Sequence, residues 1–257
     1  MNFLFENEEI VIKRLWDLRY WVLDLLSLQE NVNAFMIVTL IGVLLCIALP
    51  YLMGSINPAI LISKIFYRDD IRNHGSGNAG TTNMLRTYGK KAAAATILLD
   101  FAKAVLATLL GKLLLGVNGA AIAGFFVAFG HMFPIYYRFR GGKGVACFAM
   151  VALVISPMTF LGILFTFLVV VIGTRYVSLA SVMAAFLFPM FMRAFANDGL
   201  NVAMAVLGAC FVVALHWKNL KRIYEGGESK LDFSQFKIRK KNKPAPKEQE
   251  DQEGEEE

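Results

Sequence analysis

Two glycine-rich stretches combine cations with small hydroxyl and amide side chains: RNHGSGNAGTTNMLR at 72–86 and RFRGGKGVA at 138–146. A third, HWKNLKR at 216–222, places His216 and Asn219 three residues apart. Glycine lets backbone amides approach an anion closely, and successive amides form a nest for it. Lysine and arginine add positive charge. Two such loops suit two phosphate groups. Three residues make about one helical turn, so His216 and Asn219 can face one site.

Several familiar chemistries are excluded. Gly75, Gly77 and Gly80 fit G-x-G-x-x-G, but no strand precedes them and no βαβ unit surrounds them. Gly141, Gly142, Lys143 and Gly144 do not make a Walker A loop, because Gly144 stands where Ser or Thr is needed and the upstream glycine is missing. Gly75, Ser76 and Gly77 have the wrong spacing for a nucleophile elbow. A histidine with an aspartate five residues on marks one class of acyl-transfer enzymes. Here those positions after His74, His131 and His216 hold Ala79, Tyr136 and Lys221. Cys46, Cys147 and Cys210 lie in apolar segments without metal-ligand spacing, so neither metal nor cofactor is expected.

The elements that must position these loops are membrane helices. Of 257 residues, 56% are hydrophobic and 18% charged, and the apolar residues come in long runs. About 20 apolar residues cross about 30 Å of hydrocarbon. Apolar runs fall at about 34–53, continuing past Pro58 to 66, then 92–116, 119–137, 145–156, 158–173, 176–195 and 200–216. The sequence therefore predicts an all-α integral membrane protein of about seven transmembrane helices. The +6 net charge concentrates in the loops at 67–91 and 138–144, at Arg175, and in the tail from Lys218. The alternate turns carry one charge, Asp198. That asymmetry orients a membrane protein rather than binding nucleic acid. It puts the N-terminus outside and the C-terminus in the cytoplasm.

Residues 1–33 read as an extension with six acids and three bases, unlike a signal peptide. Leu15, Trp16, Trp21, Leu25 and Leu26 suit an amphipathic interfacial helix there. Residues 34–231 form the membrane domain, and 232–257 a charged tail expected to be disordered. Asp100 and Lys103 sit three apart inside an apolar run, as a buried pair would, and His131 reads as structural. A transporter for a phosphorylated solute is the alternative reading, since glycine-interrupted helices occur in transporters. The chain lacks the internal repeat they usually show.

GSGNAGTTNMLR, GHMFPIYYRFRGGKGVA, TRYVSLAS and HWKNLKR, in this order and spacing, resemble the motifs of the bacterial acyl-phosphate:glycerol-3-phosphate acyltransferase (PlsY) family. The resemblance runs from about residue 54 to 231. It implies a seven-helix membrane enzyme with a cytosolic active site, acting on acyl phosphate and glycerol 3-phosphate among membrane lipids. Carried onto this sequence, it implies catalytic roles for Ser76, Arg86, Lys143, Ser181, His216 and Asn219. It implies substrate contacts at Asn78, Thr82, Gly141, Gly142 and Gly144. Thr81 and Cys147 replace the family's usual alanine and threonine; the second removes one hydroxyl contact.

Overall fold

The computed structural model describes residues 17–28 and 31–232. The expectations for Leu15, Trp16 and the tail beyond Asp232 lie outside these. The described residues are helical throughout, joined by turns, without a strand.

Helix α1 (Leu18–Leu25) starts at Asp17, whose carboxylate accepts from the Arg19 amide at 3.1 Å. Its Trp21 and Leu25 are exposed, as is the following Leu26. Helix α2 (Val32–Ser55) is apolar on all sides, with most of its large side chains exposed. A helix hydrophobic all round belongs in lipid. It ends at Ile56, and Asn57 caps α3 (Pro58–Tyr67), whose first-turn proline lacks an N–H that would find no partner. Next come α4 (Thr81–Tyr88) and α5 (Lys90–Met132).

Helix α5 is not one rod. Leu115 and Gly116 leave helical geometry, with Gly116 at φ +62°. Asp100 and His131, which would be about 46 Å apart on a continuous helix, come within 3.1 Å of each other. The two arms therefore form a hairpin. A side chain at Gly111 or Gly119 would collide with the opposite arm, so close approach selects both glycines. This matches the two runs expected at 92–116 and 119–137.

Two further hairpins follow. Helix α6 (Val145–Ile155) turns at Ser156 into α7 (Pro157–Thr174), and α8 (Val177–Phe195) turns into α9 (Gly199–Leu215). Ser156 caps α7 and Asp198 caps α9. Helix α9 bends by 49° into the short α10 (Trp217–Tyr224). Among the described residues, four helical segments are long and apolar enough to cross a membrane, or five counting α9 with α10. Packing centres on Val127, Met132, Phe148, Val151, Phe188 and Met192.

Candidate active site

All three hairpins open toward one end of the bundle, where the glycine-rich loops converge. The first loop is built around Asn83. Its buried amide donates to the carbonyls of Ile71 (3.2 Å), His74 (2.9 Å) and Asn78 (3.1 Å) and accepts from the Ser76 amide (3.1 Å). One side chain thus folds the loop that presents Ser76 and Asn78. Gly75 has φ +55°, and a side chain there would strike the Asn83 amide oxygen.

The second loop follows a 3-10 turn at Ile135–Tyr137, with Arg138 and Phe139 both left-handed. The Gly141 amide donates to the Met132 carbonyl (3.2 Å), and the Gly142 amide to that of His131 (3.0 Å). Both amides of the expected substrate-contacting glycines thus already have carbonyl partners. They are spent docking the loop on the end of α5, and a side chain on Gly142 would collide with the His131 ring. Gly144, at φ +78°, is the N-cap of α6. The amides of Val145, Ala146 and Cys147 begin that helix and have no partner one turn back. These unpaired amides lie one turn further on than the glycines of the loop.

A cavity of about 470 Å³ joins these parts. At its polar end stand Ser76, Asn78, Thr82, Arg86, Lys143, Gly144, Ser181, His216 and Asn219, so every expected site residue reaches it except Gly141 and Gly142. Its deeper walls are apolar, with Phe148, Phe160, Ile163, Phe188 and Val212 among them.

Lys143 donates to the Asn219 side-chain oxygen. Burial lowers its pKa from the usual lysine range to about 8, Arg222 and Arg86 act the same way, and Glu228 opposes them. The Val212 carbonyl, 2.7 Å from His216 Nδ1, can only accept, so Nδ1 carries a proton. In the neutral ring, Nε2 then holds the free lone pair. Ser181 donates to the Val177 carbonyl at 2.8 Å.

Two contributors went unread in the sequence. Asn83 is one. Glu228 is the other: it lies in what looked like the approach to the tail, yet lines the cavity and is buried. It accepts from Asn219 (2.7 Å), Ser178 (2.9 Å) and Arg222 (2.8 Å). Burial pushes its pKa up, but those three donors outweigh it and hold the carboxylate below its usual range. The same segment is tied down where Arg86 donates to the Ser229 carbonyl (3.2 Å) and the Leu231 amide to that of Arg175 (2.7 Å). A glutamate between two glycines and a serine gives no periodic signal.

A bundle of apolar helical hairpins, with a cationic pocket at one end running into an apolar interior, defines a membrane protein that handles an anionic headgroup with a chain attached. Comparison with known proteins narrows the class. Residues 44–226 match the family model for glycerol-3-phosphate acyltransferase, and the chain belongs to that family. The glycerol-3-phosphate acyltransferase of Thermoanaerobacter pseudethanolicus is 42% identical over 181 residues, 70% of this chain and 91% of that protein. That of Geobacillus kaustophilus is 42% identical over 190 residues, 74% of this chain and 96% of that protein. Among solved structures, PlsY (YgiH), an integral membrane glycerol 3-phosphate acyltransferase, matches in its glycerol 3-phosphate form. The TM-score is 0.71 at 31% identity, covering 76% of this chain and 98% of that one. Its lysophosphatidic acid form matches with a TM-score of 0.68.

Proposed function

We propose that this chain transfers a fatty acyl group from an acyl phosphate to the 1-hydroxyl of glycerol 3-phosphate, the first acylation of phospholipid synthesis. The observation that carries this is the single cavity with two characters. Lys143 and Arg86 stand at its polar end, and Phe148, Phe160 and Phe188 line its interior. One substrate must be anionic at its head and apolar behind it, and the other anionic alone.

An acyl phosphate is a mixed anhydride with an activated carbonyl, so positioning and electrostatics can do most of the work. The hydroxyl oxygen attacks the carbonyl carbon. The bond from that carbon to the phosphate oxygen breaks, and phosphate leaves with the electron pair. Lysophosphatidic acid and inorganic phosphate result. Lys143 and the first-turn amides of α6 hold the donor phosphate, with Thr82 beside them. Those amides sit at the positive end of the helix dipole. Arg86, Ser76, Ser181 and Asn219 hold glycerol 3-phosphate, with Asn78 shaping the loop. His216 lines the same cavity, and its Nε2 is the base assigned to the hydroxyl proton; the departing phosphate is the other acceptor at hand.

Each limb of the three hairpins, together with α2, is read as one crossing, giving seven. Helix α6, with 11 residues, is short for a span. The loop cations support a cavity at the cytoplasmic face of the cell membrane, with the N-terminus outside. Residues 34–231 make the catalytic domain, 1–33 an extension and 232–257 a charged tail.

The test is direct. The purified chain in detergent is given acyl phosphate and glycerol 3-phosphate, and lysophosphatidic acid is measured. Product formed without a second compartment also excludes a pure transporter. No product from well-folded protein would refute the assignment.

A further inference from the structure

Three ionisable side chains sit inside the α5 hairpin and touch no substrate in the scheme above. Asp100 and Lys103 lie one turn apart on the first arm, and His131 is near the end of the second; the Asp100 and His131 side chains are almost fully buried. Buried charge within a membrane domain is costly, and apolar residues would pack two arms at least as well. The contacts show what the cluster holds instead.

Lys103 Nζ lies 2.8 Å from Asp100 Oδ1, 3.1 Å from the Gly54 carbonyl and 2.9 Å from the Ile56 carbonyl. The two carbonyls accept from the ammonium, and Asp100 is its counter-charge. His131 Nδ1 lies within hydrogen-bond distance of Lys103 Nζ (3.0 Å) and 3.1 Å from Asp100 Oδ1. From this centre two chains of contact run to the two glycine-rich loops. Ile56 is followed by Asn57, whose side-chain amide donates to the Ala79 carbonyl (3.3 Å), one residue beyond Asn78. On the other side, the His131 and Met132 carbonyls accept from Gly142 and Gly141, next to Lys143. The circuit closes where the Ala79 amide donates to the Gly141 carbonyl (3.4 Å). Asp100 and His131 also line the wall of the cavity.

We propose that Asp100, Lys103 and His131 are positioning residues that set the spacing between the Ser76–Asn78 loop and the Lys143 loop. The cluster fixes both loops against one buried centre, so that the acyl carbonyl and the attacking hydroxyl meet in register. This rests on the acyl-transfer function proposed above and extends it to residues outside the cavity's polar end.

The experiment uses full-length protein in detergent and the lysophosphatidic acid assay with both substrates varied. Lys143→Met first identifies the substrate whose KM reports on the Lys143 loop. Lys103→Met and Asp100→Asn each leave a partner charge unpaired and are expected to lower the thermal midpoint. The double variant removes both charges and is expected to regain most of that midpoint. Its KM for the reporter substrate is expected to stay raised about tenfold, equivalent to about 1.4 kcal/mol, while the other KM changes less than threefold. Asn57→Ser cuts the circuit on the far side while keeping an oxygen to cap α3, and is expected to give the same split without burying a charge. Wild-type kinetics in both the double variant and Asn57→Ser would overturn the proposal. So would a loss of kcat with neither KM changed, in step with the folded fraction. A wild-type chain that makes no product would instead refute the acyl-transfer assignment.

Discussion

Lys143 makes the site sensitive to alkali. Burial brings its pKa to about 8 in the free protein. Charged and neutral forms then stand at about 10:1 at pH 7 and 1:10 at pH 9. If the ammonium grips a phosphate, kcat/KM falls with unit slope above pH 8, about tenfold per pH unit. A bound phosphate favours the charged form, so the corresponding limb in kcat lies at higher pH. Stability moves the other way. The folded pKa is below the usual lysine value, so this group's contribution to folding improves as pH rises from about 8 toward about 10.5. Lost activity therefore cannot be ascribed to unfolding by Lys143. The assay is initial-rate kinetics between pH 6 and 10, with the uncatalysed hydrolysis of donor subtracted. Lys143→Arg, charged throughout, should lack the limb even if its rate is lower. A kcat/KM that stays flat to pH 10, or a limb that survives in Lys143→Arg, refutes the role given to Lys143.

Other substitutions test other parts of the site. His216→Ala should lose at least about a hundredfold in kcat if Nε2 takes the proton. His216→Asn keeps a donor toward the Val212 carbonyl, so rescue by Asn in the rate assay would reduce His216 to an architectural role. Asn83→Ala leaves three carbonyls and the Ser76 amide without their partner and should destabilise the protein by about 2 kcal/mol or more; thermal melting with the rate assay checks this. Glu228→Gln keeps the shape but removes the counter-charge facing Lys143, and should move the alkaline limb to lower pH. Activity should persist in chelator, and activity lost there and restored by a divalent ion would contradict a metal-independent reaction.

Part of this was legible because long apolar helices leave a strong one-dimensional signal. The α5 hairpin could be read from the apolar break near Gly116, and the Asp100–Lys103 pair from three-residue spacing inside an apolar run. The residues reaching the cavity were legible for a different reason: their motifs resemble those of a known family, and spacing alone would have left Ser76 a turn residue. The resemblance named the residues but not their geometry. It grouped Gly141 and Gly142 with the anion ligands, whereas their amides point back to the end of α5. A glycine tolerated for close backbone packing and one needed for close anion approach look the same in sequence. Which of the two it is depends on what its amide meets in space.

Asn83 and Glu228 escaped notice for a related reason. An amide side chain that folds a loop, and a carboxylate that gathers Asn219, Ser178 and Arg222, act through partners that are not neighbours in any periodic pattern. Their roles follow from electrostatics once the loops are placed. Lys143 and Arg86 line one cavity and Arg222 acts on Lys143 from beside it, and without substrate their mutual repulsion needs an anion nearby. Glu228 provides a fixed one at the edge of the pocket. Under the proposed function, two phosphates would enter a site already balanced against its own cations, and the glutamate would not need to leave when they arrive.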